Sequence, residues 1–247
     1  MTKDVKDLIS KFNEIRKIGW VKSIRKGSTG VGMTLENLLG ISENKLDKPD
    51  YNGIEIKTKR SYSKSYITLF NCTPVGKNLH EVERIKDTYG YPDSVLKTSK
   101  VINNSIFANC LNWIGSKFIF KLQVDRKAEK VYLYIFDSAG KLLEKNVYWS
   151  FETLQAKLHG KVNMLAFISA LRKFYKGNEF FKYHKMSLYK LKSFDLFIDL
   201  LERGIIRVTF KLGVIRSGER IGMIHDHGTG FEIRQDDLHL LYDAYSS

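Results

Sequence analysis

Two neighbouring segments in which apolar and polar residues alternate constrain the fold of this chain most strongly. They are "KFIFKLQVD", which begins at Lys117, and "KVYLYIFDS", which begins at Lys130. A period of two is typical of a strand with one buried face, and the polar residues 126–130 between the segments predict a turn. A third segment, "VNMLAFISAL" from Val162, is an apolar run typical of a strand that is buried on both faces. The chain is therefore predicted to build a sheet.

Helical patterns are interspersed with the strand patterns. "SFETLQAKLHG" and "SFDLFIDLLERG" have helical spacing and begin at serines that can cap a helix, Ser150 and Ser193. Another helix is predicted at the N-terminus, ending near Gly19, because one helical face collects its apolar residues Val5, Leu8, Ile9, Phe12 and Ile15. The polar region from about 75 to 115 is predicted to be irregular. The fold class that follows is a mixed α/β (α+β) chain.

The charge of the chain points to a polyanionic partner. Its 247 residues include 41 Lys+Arg and 27 Asp+Glu, which gives a formal net charge of +14 and a pI near 9.6. Such a field favours nucleic acid or an acidic lipid surface, although solvated lysines produce the same balance. The sequence has no run of 18 or more apolar residues and no signal-peptide pattern. We therefore expect no membrane-spanning segment, and we expect a soluble, cytoplasmic protein whose partner is nucleic acid rather than a membrane.

The two cysteines, Cys72 and Cys110, exclude two structural classes. They do not form a C-x-x-C pair, so neither a disulfide framework nor a cysteine zinc site is expected. Two cysteines without a disulfide pattern are typical of a protein in the reducing cytosol.

A glycine-rich turn, "GSTGVGMT" from Gly27, nearly matches the phosphate-binding loop G-x-x-x-x-G-K-[ST]. Met33 stands where that loop requires its lysine, and the preceding "VKSIRK" is a poor buried strand. We therefore interpret the segment as a turn that leads into a short helix, "TLENLLG", which carries Glu36. Thr34 is the predicted N-cap of this helix and Gly40 its end.

Three charged residues in "KPDYNGIEIKTKR" are candidates for a catalytic group. Alternation along a strand places Glu55 and Lys57 on one face, and Asp50 follows Pro49 at the approach to that strand. Two converging carboxylates suit Mg²⁺, which takes hard oxygen ligands, and a neighbouring lysine can stabilise negative charge. The alternative is a solvated hairpin. Other acidic-x-Lys triplets, predicted to be surface charge, occur at Asp4/Lys6, Glu43/Lys45 and Asp125/Lys127.

Three segments in this order resemble the MvaI/BcnI group of type II restriction endonucleases, which are PD-(D/E)xK nucleases related to the MutH repair nickase. They are "KGSTGVGMTLENLLGI", "KPDYNGIEIKTKR" with the following "ITLF", and the C-terminal "HDHGTGFEI". Together they span positions 26 to 233. The resemblance implies a central mixed sheet flanked by helices, with a second lobe for DNA recognition. We expect a catalytic lobe over 1–170 and a mainly DNA-recognition lobe over 171–247, with an approximate boundary and possible interleaving.

The resemblance also implies the chemistry. Asp50, Glu55 and the carbonyl of Ile56 would bind one or two Mg²⁺ ions, for which Mn²⁺ can substitute, while Lys57 would position the attacking water and Glu36 would support the site. In-line attack on double-stranded DNA at a short specific sequence would leave 5′-phosphate and 3′-hydroxyl ends. A monomer is expected, with a cognate DNA methyltransferase in the same system but not as a bound subunit. A MutH-like strand nickase and a non-catalytic DNA-binding module are the alternatives.

Candidate DNA contacts fall in two regions. The C-terminal "HDHGTG" is interpreted as a DNA contact, with a solvated loop as the alternative. A metal site is disfavoured because the two histidines lack a third ligand at metal spacing, and carboxylates can accept from cytosine. Arginine and lysine in this region suit guanine. The candidates are Arg207, Lys211, Arg216, Arg220, His225, Asp226, His227, Glu232 and Arg234. The family commonly has arginine where this chain has Glu232, so the family's target sequences do not transfer to it.

The second region, residues 171–192, interleaves basic and aromatic side chains. Its aromatic residues are read either as core, with lysines extending outward, or as part of a binding surface. Its lysines are candidates for contacts with phosphates, which supply affinity without sequence information. They include Lys173, Lys182 and Lys185.

Overall fold

The computed structural model describes residues 1–41, 48–76 and 80–245. The chain divides into two compact units that interleave along the sequence. The first unit consists of Met1–Ser65, His159–Lys192 and Leu241–Ser247, and the second of Tyr66–Leu158 and Ser193–Leu240. No helix of the described residues is both long enough and apolar enough to cross a membrane.

Helices and strands are numbered here in chain order. The helices are α1 (Lys3–Ile18), α2 (Gly30–Leu39), α3 (Glu81–Tyr89), α4 (Phe151–Val162), α5 (Phe194–Glu202) and α6 (Leu238–Leu241), with a 3₁₀ turn at Gln235–Asp237. The first strands are β1 (Val21–Lys22), β2 (Glu55–Arg60), β3 (Ile67–Asn71), β4 (Tyr91–Pro92), β5 (Lys100–Ile106), β6 (Asn112–Ile114) and β7 (Phe118–Asp125). The others are β8 (Lys130–Asp137), β9 (Leu142–Ser150), β10 (Met164–Tyr175), β11 (Asn178–Leu191), β12 (Arg207–Val214), β13 (Ile224–Ile233) and β14 (Tyr242–Ala244).

The first unit is a mixed sheet with helices packed on one face. The strand order is β1-β11-β10-β2, and β14 also pairs with β11. β2 and β10 run parallel, whereas β10 and β11 form a long antiparallel hairpin. Buried residues of α1 and α2 join a core with strand residues such as Ile56, Ala166, Ile168 and Phe181. This packing leaves the other face of β2 to carry Glu55.

The second unit contains two sheets with an aromatic core. One has the order β3-β13-β12-β5-β4 and the other β6-β7-β8-β9. Trp149 and Phe231 are fully buried with ring centroids 5.6 Å apart in an edge-to-face arrangement, which suits the charge distribution of aromatic rings. Phe231 also stacks on Phe70. This core supports β12 and β13, which carry six of the candidate DNA contacts.

Most of the strong periodic patterns form the predicted elements. α1 buries Val5, Leu8, Phe12 and Ile15, and β7 pairs with β8 along its full length. β10 is a buried strand over its first half. The Ser150 hydroxyl accepts from the backbone N–H of Thr153, and that of Ser193 from Leu196. Both serine caps are confirmed.

Several local predictions were wrong. α2 begins at Gly30, one turn earlier than predicted, and Thr34 is an interior residue whose hydroxyl donates to the Gly30 carbonyl at 2.7 Å. Gly40 ends the helix in the left-handed conformation, as expected. The predicted irregular region from 75 to 115 contains α3 and three strands within its described part, because short elements without long periodic patterns escape a sequence reading.

The two units alternate along the sequence. The sequence interpretation places an approximate boundary near 170 and allows the lobes to interleave; in the structure residues 159–192 belong to the first unit and 66–158 to the second. The strand pairing explains this, because β10 runs beside β2 and therefore stays with the segment that carries Glu55 and Lys57. The catalytic and recognition roles of the two lobes remain predictions.

Candidate active site

A tight turn brings Asp50 beside the strand that carries Glu55 and Lys57. Tyr51 and Ile54 exchange two backbone hydrogen bonds of 3.0 and 2.8 Å, and both central residues, Asn52 and Gly53, have positive φ. An Asn-Gly pair is the preferred sequence for this kind of turn, because asparagine and glycine tolerate the left-handed conformation. The chain therefore folds back before β2. Oδ2 of Asp50 accepts a hydrogen bond of 2.9 Å from the backbone N–H of Ile56.

β2 presents its charges on one face and its apolar residue on the other. Ile56 is buried in the core of the first unit. Glu55 and Lys57 point to the opposite face and lie in register with Leu165 and Phe167 of β10. The Nζ of Lys57 lies 2.5 Å from Oε1 of Glu55. The predicted convergence of Asp50, Glu55 and Lys57 at one point of the fold is what the structure shows.

Glu55 is a buried carboxylate with an unusual environment. Its side chain is 2% exposed. Burial raises the pKa of Glu55 and nearby Asp50 raises it further, while Lys57 and Lys161 act in the opposite direction. Its Oε2 atom has no hydrogen-bond partner within the described residues, although the Lys161 ammonium lies 3.5 Å away. A buried carboxylate oxygen without a hydrogen bond is costly unless a ligand or cation completes its environment.

Lys161 is a residue of this site that the sequence interpretation missed. It stands near the end of α4, and its Nζ also donates to the carbonyl of Lys48 at 3.2 Å. It therefore contacts both Glu55 and the segment that leads to Asp50. No motif or spacing marks it, because it lies far from both residues in sequence. Only the packing of α4 brings it to β2.

Glu36 lies half-buried on α2. Its Oε1 turns back along its own helix, so that a Cβ added to Gly32 would lie 3.5 Å from it. Glu36 also raises the pKa of the Tyr183 hydroxyl, for which burial is the largest cause and Arg60 a lowering influence. Its supporting role in catalysis stays a prediction.

The donor set fits a hard divalent cation completed by water and substrate. Within residues 1–41, 48–76 and 80–245, no three His, Cys, Asp or Glu side chains converge closely enough to hold a metal ion by themselves. Mg²⁺ commonly takes only one or two protein carboxylates and fills its shell with waters and phosphate oxygens. Asp50, Glu55 and the Ile56 carbonyl match that pattern. The Oε2 atom of Glu55, which lacks a hydrogen bond within the described residues, is the specific feature that suits a cation.

The second unit groups several candidate recognition residues around one carboxylate. Glu232 is 4% exposed, and its oxygens accept from Arg207 at 2.8 Å and from Lys211 at 2.6 Å. The hydroxyls of Thr68 and Thr209 also donate to it. Burial by itself raises the pKa of Glu232, but Lys211 and Arg207 outweigh it, so the pKa is lowered overall. Glu232 is an ionised anchor for the two cations.

The other candidates of this unit have distinct settings. Arg216 pairs with buried Asp93 at 2.7 Å, whereas Arg220 is exposed in the following loop. Arg234 donates to the hydroxyl of Tyr66 at 2.9 Å. The "HDH" segment belongs to β13 rather than to a loop, with the rings of its two histidines 3.9 Å apart and Asp226 accepting from the backbone of Gly228.

The lysine candidates of the first unit lie on the β10–β11 hairpin. Lys173, Lys182 and Lys185 are all exposed. The Lys173 ammonium lies 4.4 Å from the ring centroid of Trp20, a cation–π arrangement that orders the side chain. Of the other acidic-x-Lys triplets, which were predicted to be surface charge, those at Asp4/Lys6 and Asp125/Lys127 have exposed lysines. The triplet at Glu43/Lys45 lies outside the described residues.

The sheet with its edge cluster of two carboxylates and a lysine defines the PD-(D/E)xK class of nucleases. A family model described as "MvaI/BcnI restriction endonuclease family" matches residues 9–242. The chain belongs to this family, and it is a type II site-specific deoxyribonuclease. Comparison with curated proteins finds no match.

Solved structures of one restriction endonuclease are similar to this chain. The complex of MvaI with its cognate DNA substrate has 30% sequence identity and a TM-score of 0.91, with 99% of this chain and 98% of that chain covered. MvaI in the absence of DNA has the same identity and coverage and a TM-score of 0.64.

Proposed function

We propose that this enzyme hydrolyses phosphodiester bonds of double-stranded DNA with Mg²⁺, at a short specific sequence, and leaves 5′-phosphate and 3′-hydroxyl ends. The observation that carries the proposal is the buried Glu55 carboxylate, which stands beside Asp50 and contacts two lysines. The Oε2 atom of this carboxylate lacks a hydrogen bond within the described residues, and a bound cation would complete its environment. Mn²⁺ is expected to substitute for Mg²⁺, since both accept hard oxygen ligands.

Asp50, Glu55 and the Ile56 carbonyl would hold the metal ion. When bound, Mg²⁺ supplies charge stabilisation at the phosphoryl oxygens and lowers the pKa of water. The hydrogen bond from the Ile56 N–H keeps the Asp50 carboxylate turned toward β2. Lys57, on the same face as Glu55, orients the attacking water and donates to the developing negative charge.

Residues of both units are proposed to contact the duplex. β12 and β13 offer Arg207, Lys211 and the histidines to base edges, where guanidinium and ammonium groups favour guanine. Glu232 holds the first two in place, so its effect on specificity is indirect. Since the family commonly has arginine at this position, a different target sequence is expected here. Lys173, Lys182 and Lys185 would contact phosphates and supply affinity for every sequence.

The enzyme is proposed to act as a monomer in the cytoplasm, where its DNA substrate is found. A cognate DNA methyltransferase would protect the host sites without being a bound subunit. The first unit would serve as the catalytic lobe and the sheet of β12 and β13 as the main recognition surface.

Digestion of a random-sequence DNA library with Mg²⁺, followed by sequencing of the ends, tests the proposal. Ends clustered at one short motif give the site and the cut position together. A supercoiled plasmid with a single site separates two outcomes, because a linear product indicates cleavage of both strands and an open circle alone indicates a nickase. Metal-dependent cleavage that is absent with EDTA supports the proposal. Sequence-specific binding without cleavage in Mg²⁺ or Mn²⁺ contradicts it.

A further inference from the structure

A cationic cleft lies in the first unit beside the glycine-rich turn. It has a volume of about 700 Å³ and is bounded by residues 23–28 on one side and by the distal part of the β10–β11 hairpin on the other. Its walls contribute the basic residues Arg25, Lys26, Arg60 and Arg172 and one acidic residue, Glu179. The known activity assigns no role to this cleft.

Arg60 lines the cleft, and the carboxylate of Glu179 neutralises its charge there. Its Nε and Nη2 donate to the two carboxylate oxygens of Glu179 at 2.8 and 3.0 Å. The same guanidinium donates to the carbonyls of Gly27 and Ser28 at 2.8 and 2.9 Å. The turn is thus tied to β2 through its carbonyl groups. A phosphate-binding loop would instead present its N–H groups to a ligand, so cationic side chains must supply any anion binding in this cleft.

The remaining cations of the cleft are available. Arg25 and Lys26 are exposed, and within the described part of the chain neither side chain has a hydrogen bond or an ion pair. Arg172 is 52% exposed, and its Nε lies 4.0 Å from the Glu179 carboxylate, which Arg60 already occupies. After the Arg60–Glu179 pair is set aside, these three side chains give the cleft an excess positive charge.

An aromatic side chain accompanies the charges. Phe174 lines the cleft and is 66% exposed, and the Arg172 guanidinium lies 5.4 Å from its ring centroid. Free cations beside an exposed ring suit a sugar–phosphate chain, which alternates an anionic group with an apolar one.

Arg60 relates the cleft to the active site. It is the last residue of β2, and Glu55 is the first. Five residues at about 3.3 Å each separate the two by about 16 Å along the strand. Phosphates of a duplex recur about every 3.4 Å of helix axis on each strand, so this span corresponds to a few nucleotides. Since the two residues are an odd number of positions apart, the side chain of Arg60 lies on the opposite face of the sheet from that of Glu55.

We infer that this cleft binds a backbone phosphate of the DNA substrate a few nucleotides from the cleaved bond, through Arg25, Lys26 and Arg172. The inference rests on the proposed function and extends it with an anchoring site that reads no bases. The shared chemistry is a phosphate group, and the source to which we commit is the DNA backbone rather than a free nucleotide.

The first test measures the salt dependence of DNA binding without metal. In wild-type protein, the slope of log affinity against log salt reports the number of phosphate contacts, at about 0.9 per contact. The triple variant R25Q/K26Q/R172Q is expected to lose about 0.9 from this slope, the value for one phosphate, equally for specific and nonspecific duplexes. The control variant K3Q/K6Q/K17Q removes the same charge from exposed positions of α1 and is expected to keep the wild-type slope. Equal slopes for wild type and both variants overturn the inference.

The second test uses unmodified enzyme, so it does not depend on the folding of a variant. Uncharged methylphosphonate linkages are placed one at a time along each strand on both sides of the cut. One flanking position a few nucleotides away is expected to weaken binding roughly 10-fold, the loss of one charge-assisted hydrogen bond. That effect should be absent in the triple variant. A scan without any sensitive flanking position overturns the inference.

Titration with inorganic phosphate and ATP separates the two sources of phosphate. Micromolar binding of either to wild-type protein, lost in the triple variant, would assign the cleft to a free ligand and overturn the backbone assignment. No binding at these concentrations agrees with it. Wild-type protein that cuts DNA but shows no flanking contact leaves the proposed function intact, whereas protein that never cuts DNA contradicts the proposed function itself.

Discussion

The ammonium of Lys161 lies 3.5 Å from Oε2 of Glu55, the buried carboxylate oxygen that lacks a hydrogen bond. The same ammonium donates to the carbonyl of Lys48, just before the segment that carries Asp50. Lys161 therefore joins the two chain segments that supply the proposed metal ligands. Its positive charge also partly offsets the cost of burying the negative charge of Glu55. This relationship makes the lysine a positioning residue for the site.

Lys161→Met is expected to slow cleavage by roughly 10- to 100-fold, the usual effect of removing a group that orients metal ligands. The Mg²⁺ concentration needed for half-maximal rate should rise, because the two carboxylates lose a common partner. Lys157→Met, one turn earlier on the same helix, is the matched control and should retain nearly full activity. An unchanged Mg²⁺ dependence in Lys161→Met would remove the residue from the site.

Lys57→Met is expected to reduce cleavage by roughly 10²- to 10⁴-fold, the range for a group that assists proton transfer and charge stabilisation. Specific DNA binding, measured without metal, should remain within a few-fold of wild type. Lys127→Met provides the control, since Lys127 belongs to an acidic-x-Lys triplet on an exposed turn. A near-normal rate for Lys57→Met would refute the role given to this lysine.

Asp50→Ala and Glu55→Ala should each abolish cleavage, because each removes a proposed metal ligand. Both variants should still bind the specific site, since the loss of a carboxylate also removes repulsion from phosphate. Gel-shift titrations in the presence of EDTA, alongside cleavage assays in Mg²⁺, measure the two properties separately. Cleavage that survives either substitution would show that the metal is held elsewhere.

Glu232→Gln is expected to destabilise the protein by about 1–3 kcal/mol at pH 7, because Arg207 and Lys211 lose their charged partner. The pKa of Glu232 is lowered in the folded protein. Its contribution to stability is therefore present above the unfolded pKa, about 4.3, and is lost as the pH falls through the lower folded pKa. Urea unfolding from pH 7 down to pH 3 should show the gap between variant and wild type closing. A gap independent of pH would mean that the charge of Glu232 is not responsible.

Arg216 and Arg220 are expected to differ although both lie in one loop. Arg216→Gln should lower the free energy of unfolding, because Asp93 is 1% exposed and loses its guanidinium partner. Among the described residues its carboxylate then keeps hydrogen bonds from the backbone N–H groups of Val95 and Leu96. Arg220→Gln should change stability by less than about 0.5 kcal/mol, as is usual at exposed positions. Its expected effect is a relaxed or shifted cleavage site in library sequencing. Equal stability of the two variants would contradict the anchoring role of Arg216.

The sequence by itself determined the elements with strong local patterns and the residues of the candidate active site that lie close together along the chain. Asp50, Glu55 and Lys57 lie within eight residues, and an Asn-Gly turn and strand alternation are enough to bring them together. Three motifs in order were also enough to identify the family. These features depend on interactions between residues close in sequence, which a local pattern records.

Tertiary structure alone decided what depends on contacts between distant segments. α4 packing brought Lys161 to Glu55, and strand pairing placed Arg207 beside Glu232. The parallel pairing of β2 with β10 kept residues 159–192 in the first unit. The Arg60–Glu179 ion pair joined β2 to the β10–β11 hairpin at the cationic cleft. Each of these contacts forms and stabilises the protein only when the sheets have assembled. Periodicity and spacing along the chain therefore do not predict them.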